Sequence, residues 1–182
     1  GAGARGAHHN GLTAGDANRA MDPTPGNPLS PDELAGVADL FGGLTRTELR
    51  GAVENVAARR GTPFDPSTVD DAVASARREY YLLAVEHGDE TVLTPGPAAL
   101  PALPEHGADL PHMMDVEERD IDADDLAEAS RERLETDADA AIEAGDRDRA
   151  RALLDICYDA EAWRSVDVEH VRERLVGTFE EL

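Results

Sequence analysis

The chain has 182 residues, among them 39 Asp or Glu, 17 Arg and no Lys, and its formal net charge is −22. Aromatic residues are only 4%, and the single cysteine, Cys157, excludes an internal disulfide, so any core must rely on Ala, Val and Leu. No stretch approaches the roughly 18 apolar residues of a membrane span, and the chain start lacks a secretory signal pattern. We therefore expect a soluble cytoplasmic protein.

The acidic excess predicts a salt-rich environment. A compact domain with this charge would repel itself in dilute buffer, whereas at 1 M salt the Debye length is only about 3 Å and the repulsion is screened. A GC-rich genome would also replace Lys by Arg, but that bias alone does not produce so large an acid excess. We expect a halophilic protein.

The first 29 residues predict a disordered tail. They are rich in Gly, Ala, Asn and Pro and show no apolar periodicity. Patterns typical of folded protein begin only after Met21, which we expect to be the native start. The predicted organisation is a tail at 1–29, a winged-helix-like domain at 30–95, a Pro-rich strap at 96–120 and an acidic helical unit at 121–182.

Residues 30–95 predict three helices and a hairpin. Ser30 with Glu33, and Thr45 with Glu48, have the spacing of capping boxes and predict the first two helix starts. A third helix is predicted to begin near Asp65. The β-prone runs 81–85 and 91–93 then predict a hairpin. This order is that of a winged helix-turn-helix.

The rest of the chain predicts an extended strap and a helical unit. The prolines between 95 and 111 favour a stiff, extended backbone packed along a domain surface. Asp122, Asp146 and Asp167 are predicted N-caps of three antiparallel helices. The predicted fold class is therefore mainly α with a small β-hairpin: a winged helix-turn-helix-like N-terminal domain followed by a C-terminal helical hairpin or three-helix unit.

Four short segments carry a resemblance to a known family. They are Leu-Phe-Gly-Gly-Leu-Thr at 40–45, Tyr-Tyr-Leu at 80–82, Pro-Gly-Pro-Ala-Ala at 95–99 and Asp-Ile-Cys-Tyr-Asp-Ala-Glu-Ala-Trp at 155–163. As a set they resemble a family of haloarchaeal proteins of unknown function, over roughly residues 29–176. The resemblance implies a haloarchaeal, intracellular setting and supplies no activity, cofactor or catalytic residue.

The winged-helix order raises DNA binding as one hypothesis. Residues 30–104 have a net charge of −6, against −16 for residues 105–182, so the predicted winged domain is the less acidic part. However, the start of the third helix, which would approach bases, carries Asp65, Asp70 and Asp71, and these would repel phosphates. Charge thus disfavours DNA. The candidate phosphate contacts are Arg46, Arg50, Arg77 and Arg78.

Metal binding and catalysis find little support in the sequence. Asp120, Asp122 and Asp124 match the first positions of a calcium loop, but the required Gly and the final Glu are missing. No nucleophile elbow, phosphate-binding Gly-rich loop or metalloprotease motif is present. We predict no catalytic residue, no metal ligand and no cofactor, and hence no enzyme. A pocket joining His112, Cys157 or Trp163 to ordered polar groups would reverse that expectation.

The sequence favours a non-enzymatic protein-interaction or regulatory module whose partner is another protein. The alternative is a DNA-binding transcriptional regulator of winged-helix type, and a homodimer stays open. The two hypotheses differ in one observable. A regulator should present the four candidate arginines on one face free of carboxylates, whereas an interaction module should show them paired with carboxylates.

Overall fold

The computed structural model describes residues 25–180, which are mainly helical with one small antiparallel hairpin, as the sequence predicts. Within those residues, no helix has the length and apolarity needed to cross a membrane. The elements in chain order are α1 (Pro31–Leu40), α2 (Arg46–Arg60), α3 (Pro66–Arg78), β1 (Leu82–His87), β2 (Glu90–Pro95), a 3-10 turn (Gly107–Asp109), α4 (Leu110–Met113), α5 (Ala123–Ala144), α6 (Arg147–Arg164) and α7 (Glu169–Glu180).

The first two helices begin at the predicted capping boxes. The Ser30 hydroxyl accepts the Glu33 N–H at 3.1 Å, and the Glu33 carboxylate accepts the Ser30 N–H at 3.0 Å. Thr45 and Glu48 repeat the arrangement at the start of α2. The third helix begins at the predicted place, because Asp65 caps α3 with its carboxylate on the Ser67 N–H. Local side-chain chemistry therefore sets all three helix starts.

Helices α1–α3 and the hairpin enclose the first core. Leu34, Val37, Leu49 and Val53 are fully buried there, and an isolated bridge between Leu44 and Leu93 ties the α1–α2 connection to β2. Most of the predicted tail at 1–29 lies outside the described residues. Its last residue, Leu29, is buried in this core.

The strap packs along the N-terminal unit, and glycines permit the contact. A Cβ on Gly36 of α1 would lie 2.0 Å from the Ala102 carbonyl oxygen, so only Gly allows this approach. Gly42, at φ +76°, meets the Arg119 backbone in the same way. The strap also contains the 3-10 turn and α4, which the Pro-rich pattern did not predict.

Helices α5, α6 and α7 enclose a second core around Leu134, Leu153 and Cys157. The helices follow the predicted order, with two differences. Ala150, Leu154 and Tyr158 are spaced by four residues, which predicts Tyr158 on the inner face of α6. Its side chain is instead 52% exposed, because Ile156 and Ala160 take the inner positions. Helix α7 begins at Glu169, one residue after the first helical position expected from an Asp167 cap.

Contacts of Tyr80 and of β1 join the N-terminal unit to the C-terminal helices. The buried Tyr80 side chain, from the N-terminal unit, belongs to the second core, and its hydroxyl donates to Asp137 of α5 at 2.6 Å. Leu83 and Val85 of β1 pack against Leu126 of α5. Helix α5 is thereby fixed across one face of the hairpin.

Candidate functional site

An open groove of about 550 Å³ lies between β1, α5 and the end of α3. This volume is within the roughly 300–1,000 Å³ range of ligand pockets. Residues 83–86 of β1 form one wall, and α5 forms the other from Asp125 to Asp137. The groove exists because Tyr80 and Leu126 hold α5 at a set distance from the strand.

Along this groove, the edge of β1 carries backbone groups that have no hydrogen-bond partner among residues 25–180. On the far side of the hairpin, Leu93 donates its N–H to Leu44 and accepts the Leu44 N–H, at 2.7 and 3.1 Å. Leu93 lies directly opposite Ala84 in the register. In an antiparallel pair, two residues that face each other either both point their N–H and C=O toward the partner strand or both point them away from it. Since Leu93 points its groups away from β1, Ala84 points its N–H and C=O away from β2. Glu86, two residues further on, does the same.

One end of the groove is acidic. Asp125, Glu128 and Glu132 are spaced by three and four residues, which places them on one face of α5, and Glu86 stands opposite on β1. Glu128 is paired with Arg131, and this contact lowers the pKa of its carboxyl. Asp125 and Glu132 form no ion pair with any residue between 25 and 180. A cationic ligand would find unpaired carboxylates here.

The opposite end of the groove is basic. Burial, together with the neighbouring charges of Arg133 and Arg46, lowers the pKa of the Arg77 guanidinium. The Arg77 Nε is buried without a hydrogen-bond partner, and Arg77 has no ion pair in the described part of the chain. Arg133, by contrast, donates to Asp137 at 3.0 Å. An anionic group placed at this end would relieve the repulsion between the three arginines.

The four candidate phosphate contacts do not form one open face. Arg50 makes a bidentate pair with Asp70 at 2.8 Å. Arg78 is 3.5 Å from Glu79 and lines a different surface pocket with Arg149. Arg77 points into the groove described above, while Arg46, at the start of α2, is exposed and has no ion pair among the described residues. Two of the four are therefore paired and two are not.

The residues that would suggest an enzyme lie apart. Trp163 lines a cavity of about 280 Å³ with Arg119 and Asp120, so one of the three residues does meet polar groups in a pocket, but neither His112 nor Cys157 lines it. Arg119 is held by Glu48 at 2.7 Å and by Glu90 at 3.1 Å. Across residues 25–180, no three His, Cys, Asp or Glu side chains are grouped to hold a metal ion.

An apolar segment of the strap is exposed. Leu100 and Leu103 are 78% and 49% exposed. Two bonds to α1 hold the segment: Asp32 accepts the Leu100 N–H on its carboxylate at 2.9 Å and the Ala102 N–H on its carbonyl at 3.1 Å. These leucines are thus presented in a fixed conformation.

The sequence did not single out the groove residues other than Arg77. Carboxylates are so frequent that Asp125 and Glu132 carry no signal alone, and Arg133 was one arginine among many. The available signal was the helical spacing of the α5 acids beside a short edge strand. Their meeting depends on the long-range contact between Tyr80 and Asp137.

The fold defines a mainly helical protein with one small hairpin and a groove at the edge of that hairpin. The chain belongs to DUF7109, a family of unknown function, whose family model matches residues 32–180. No curated protein and no solved structure was found to match it.

Proposed function

We propose that this protein is a non-enzymatic protein-interaction module of the cytoplasm of a salt-accumulating haloarchaeon, with a winged-helix-like N-terminal domain. The groove between β1 and α5 is the observation that carries the proposal. It combines an unpaired strand edge with a wall of charged side chains, which is how domains that bind extended peptides are built. The order of three helices, hairpin and Leu44–Leu93 bridge supports the winged-helix assignment.

DNA binding is the alternative, and the unpaired Arg46 and Arg77 favour it. Against it, the bidentate pair between Arg50 and Asp70 removes one phosphate contact, and Arg77 and Arg78 line different pockets. A duplex needs a continuous basic surface, because phosphate contacts supply most non-specific affinity. The arrangement therefore supports a protein partner better than DNA.

The test of the proposed module compares two proline variants of the hairpin. Ala84→Pro removes the backbone N–H that faces the groove, and Thr91→Pro removes an outward N–H on the opposite edge of the same hairpin. The immobilised wild type and both variants, each shown to be folded by circular dichroism, are exposed to a lysate in about 2 M KCl. We expect partner proteins on the wild type and Thr91→Pro that Ala84→Pro does not retain. Equal retention by all three would contradict the proposal.

A titration against labelled genomic DNA fragments in the same salt tests the alternative. The wild type is compared with the double variant Arg77→Glu/Arg78→Glu. We expect no saturable binding by either protein. Saturable binding that the double variant loses would replace the proposed module by a DNA-binding regulator that uses these two arginines.

A further inference from the structure

We propose that the groove binds the free C-terminal segment of a partner protein, which adds to β1 as an antiparallel strand, places its terminal carboxylate at Arg77 and presents basic side chains to the acids of α5. This inference rests on the proposed function and names the chemistry of the partner at the same site. Backbone hydrogen bonds to Ala84 and Glu86 would provide the affinity, and the charged ends of the groove the selectivity.

The two ends of the groove determine the direction of the added strand. β1 runs from Leu82, on the side of Arg77, toward Glu86, on the acidic side. A strand antiparallel to β1 therefore ends near Arg77, where its carboxylate meets a guanidinium that has a buried, unpartnered Nε. A parallel strand would place its positive amino terminus beside the three arginines, and parallel pairing is also slightly less stable per residue.

The side chains of the added strand alternate between two faces. Leu83 and Val85 point toward α5, because they pack against Leu126. Residues of the partner opposite these two positions point the same way, toward Asp125 and Glu132, which form no ion pair among residues 25–180. Basic residues at every second position of the partner segment would therefore meet carboxylates that now lack an ion pair.

The same charges disfavour a second copy of this chain as the occupant. Two β1 edges joined antiparallel would bring the acidic rim of each copy against the Arg77 end of the other. In that dimer, however, no peptide strand separates the two α5 helices. Both helices carry acids and each copy has a net charge of −22, so the two copies repel each other. A separate peptide needs only the width of one strand, about 4.8 Å from β1.

The experiment presents the full chain with two randomised eight-residue peptide libraries in about 2 M KCl. One library ends in a free carboxylate and the other in an amide, and mass spectrometry quantifies the retained peptides. We expect at least about fivefold greater retention of the free-carboxylate library, with Arg or Lys enriched at alternate positions. Hydrogen exchange of the Ala84 and Glu86 amides should slow at least about tenfold on binding, because both would enter a ladder.

Matched variants assign the two ends of the groove. Arg77→Gln should abolish the preference for the free carboxylate, whereas Arg78→Gln, whose side chain is 66% exposed and does not line the groove, should preserve it. Asp125→Asn/Glu132→Gln should remove the enrichment of basic residues and keep the carboxylate preference.

Several results would overturn the inference. Equal retention of both libraries, no retention of either, enrichment of acidic residues, or retention without slower exchange at Ala84 and Glu86 each contradicts it. A dimer of the chain in sedimentation that Ala84→Pro abolishes would assign the edge to a second copy instead. If lysate partners depend on Ala84 while the libraries fail, the proposed module stands and the C-terminal peptide is wrong. If no partner depends on Ala84, both proposals fall.

Discussion

At the scale of single residues, Arg119 does more for the fold than its exposed neighbours. It is an arginine of the strap whose side chain is only 13% exposed. It donates to Glu48 at 2.7 Å, to Glu90 at 3.1 Å and to the Gly43 carbonyl at 3.0 Å. It thereby connects the strap to α2, the hairpin and the α1–α2 connection. Nothing in its sequence neighbourhood distinguishes it from the other arginines.

We expect Arg119→Ala to lower the free energy of unfolding by about 2 kcal/mol at pH 7, since hydrogen bonds between charged groups are lost. Burial opposes ionisation of Glu48, but bonds from Arg119 and Thr45 outweigh it and hold the pKa of the Glu48 carboxyl below its ordinary value. The stabilisation is therefore complete above the ordinary pKa of a glutamate carboxyl and is lost as the pH falls through the lower, folded-state pKa. The difference between variant and wild type should shrink accordingly.

Chemical denaturation of both proteins between pH 3 and pH 7 measures this difference. Arg147→Ala is the control, because Arg147 is exposed and has no ion pair among residues 25–180. It should cost less than about 0.5 kcal/mol. A pH-independent difference for Arg119→Ala would show that the ion pair with Glu48 is not the cause.

At the scale of elements, the docking of the strap on α1 depends on the absence of a side chain. The Gly36→Ala Cβ would lie 2.0 Å from a backbone oxygen of the strap, so the strap must move. We expect a loss of at least about 2 kcal/mol of unfolding free energy. Gly51→Ala in α2 is the matched control: its Cβ would have only Met114 Cε nearby, at 3.9 Å.

The control should stabilise the protein by up to about 1 kcal/mol, because Ala is the better helix former. Thermal and denaturant unfolding of both variants in the same salt measures the two effects. Equal effects of the two substitutions would mean that the contact between α1 and the strap contributes no stability.

The helices also show which structural features can be predicted from residues close together in the sequence. Ser30, Thr45, Asp65, Asp122 and Asp146 predicted helix starts because each cap bonds to an N–H two or three residues along the chain. The prediction that Tyr158 is buried was wrong. The apolar residues of α6 are compatible with two rotations of the helix about its axis, and only packing against α5 and α7 selects one of them. The short α4 was missed because Pro111 and its neighbours have no helical periodicity.

At the scale of the whole molecule, the net charge of −22 sets the salt in which the fold should persist. The reactivity of the Cys157 thiol measures whether the fold persists, because Cys157 is fully buried in the second core. Burial, with the nearby Glu161 carboxylate, raises the pKa of the Cys157 thiol to about 12. The folded protein should therefore be almost unreactive toward a thiol reagent at pH 8.

We expect the rate of this reaction to rise at least about tenfold when KCl is lowered from about 2 M to 0.1 M, because unscreened carboxylates repel one another and open the fold. The urea-unfolded protein, which should react equally fast in both salts, controls for effects on the reagent. Unchanged protection at 0.1 M KCl would contradict the proposed halophilic adaptation.

The sequence alone determined five of the helix starts, the hairpin, the order of the long helices and the excess of negative charge, since each depends on composition or on residues a few positions apart. Only the tertiary structure decided where α5 lies on the hairpin, which edge of β1 is left unpaired and which arginines keep no carboxylate. Those features depend on contacts such as Tyr80 with Asp137, 57 residues apart. No local pattern encodes such a contact, because it joins residues that are distant in the sequence.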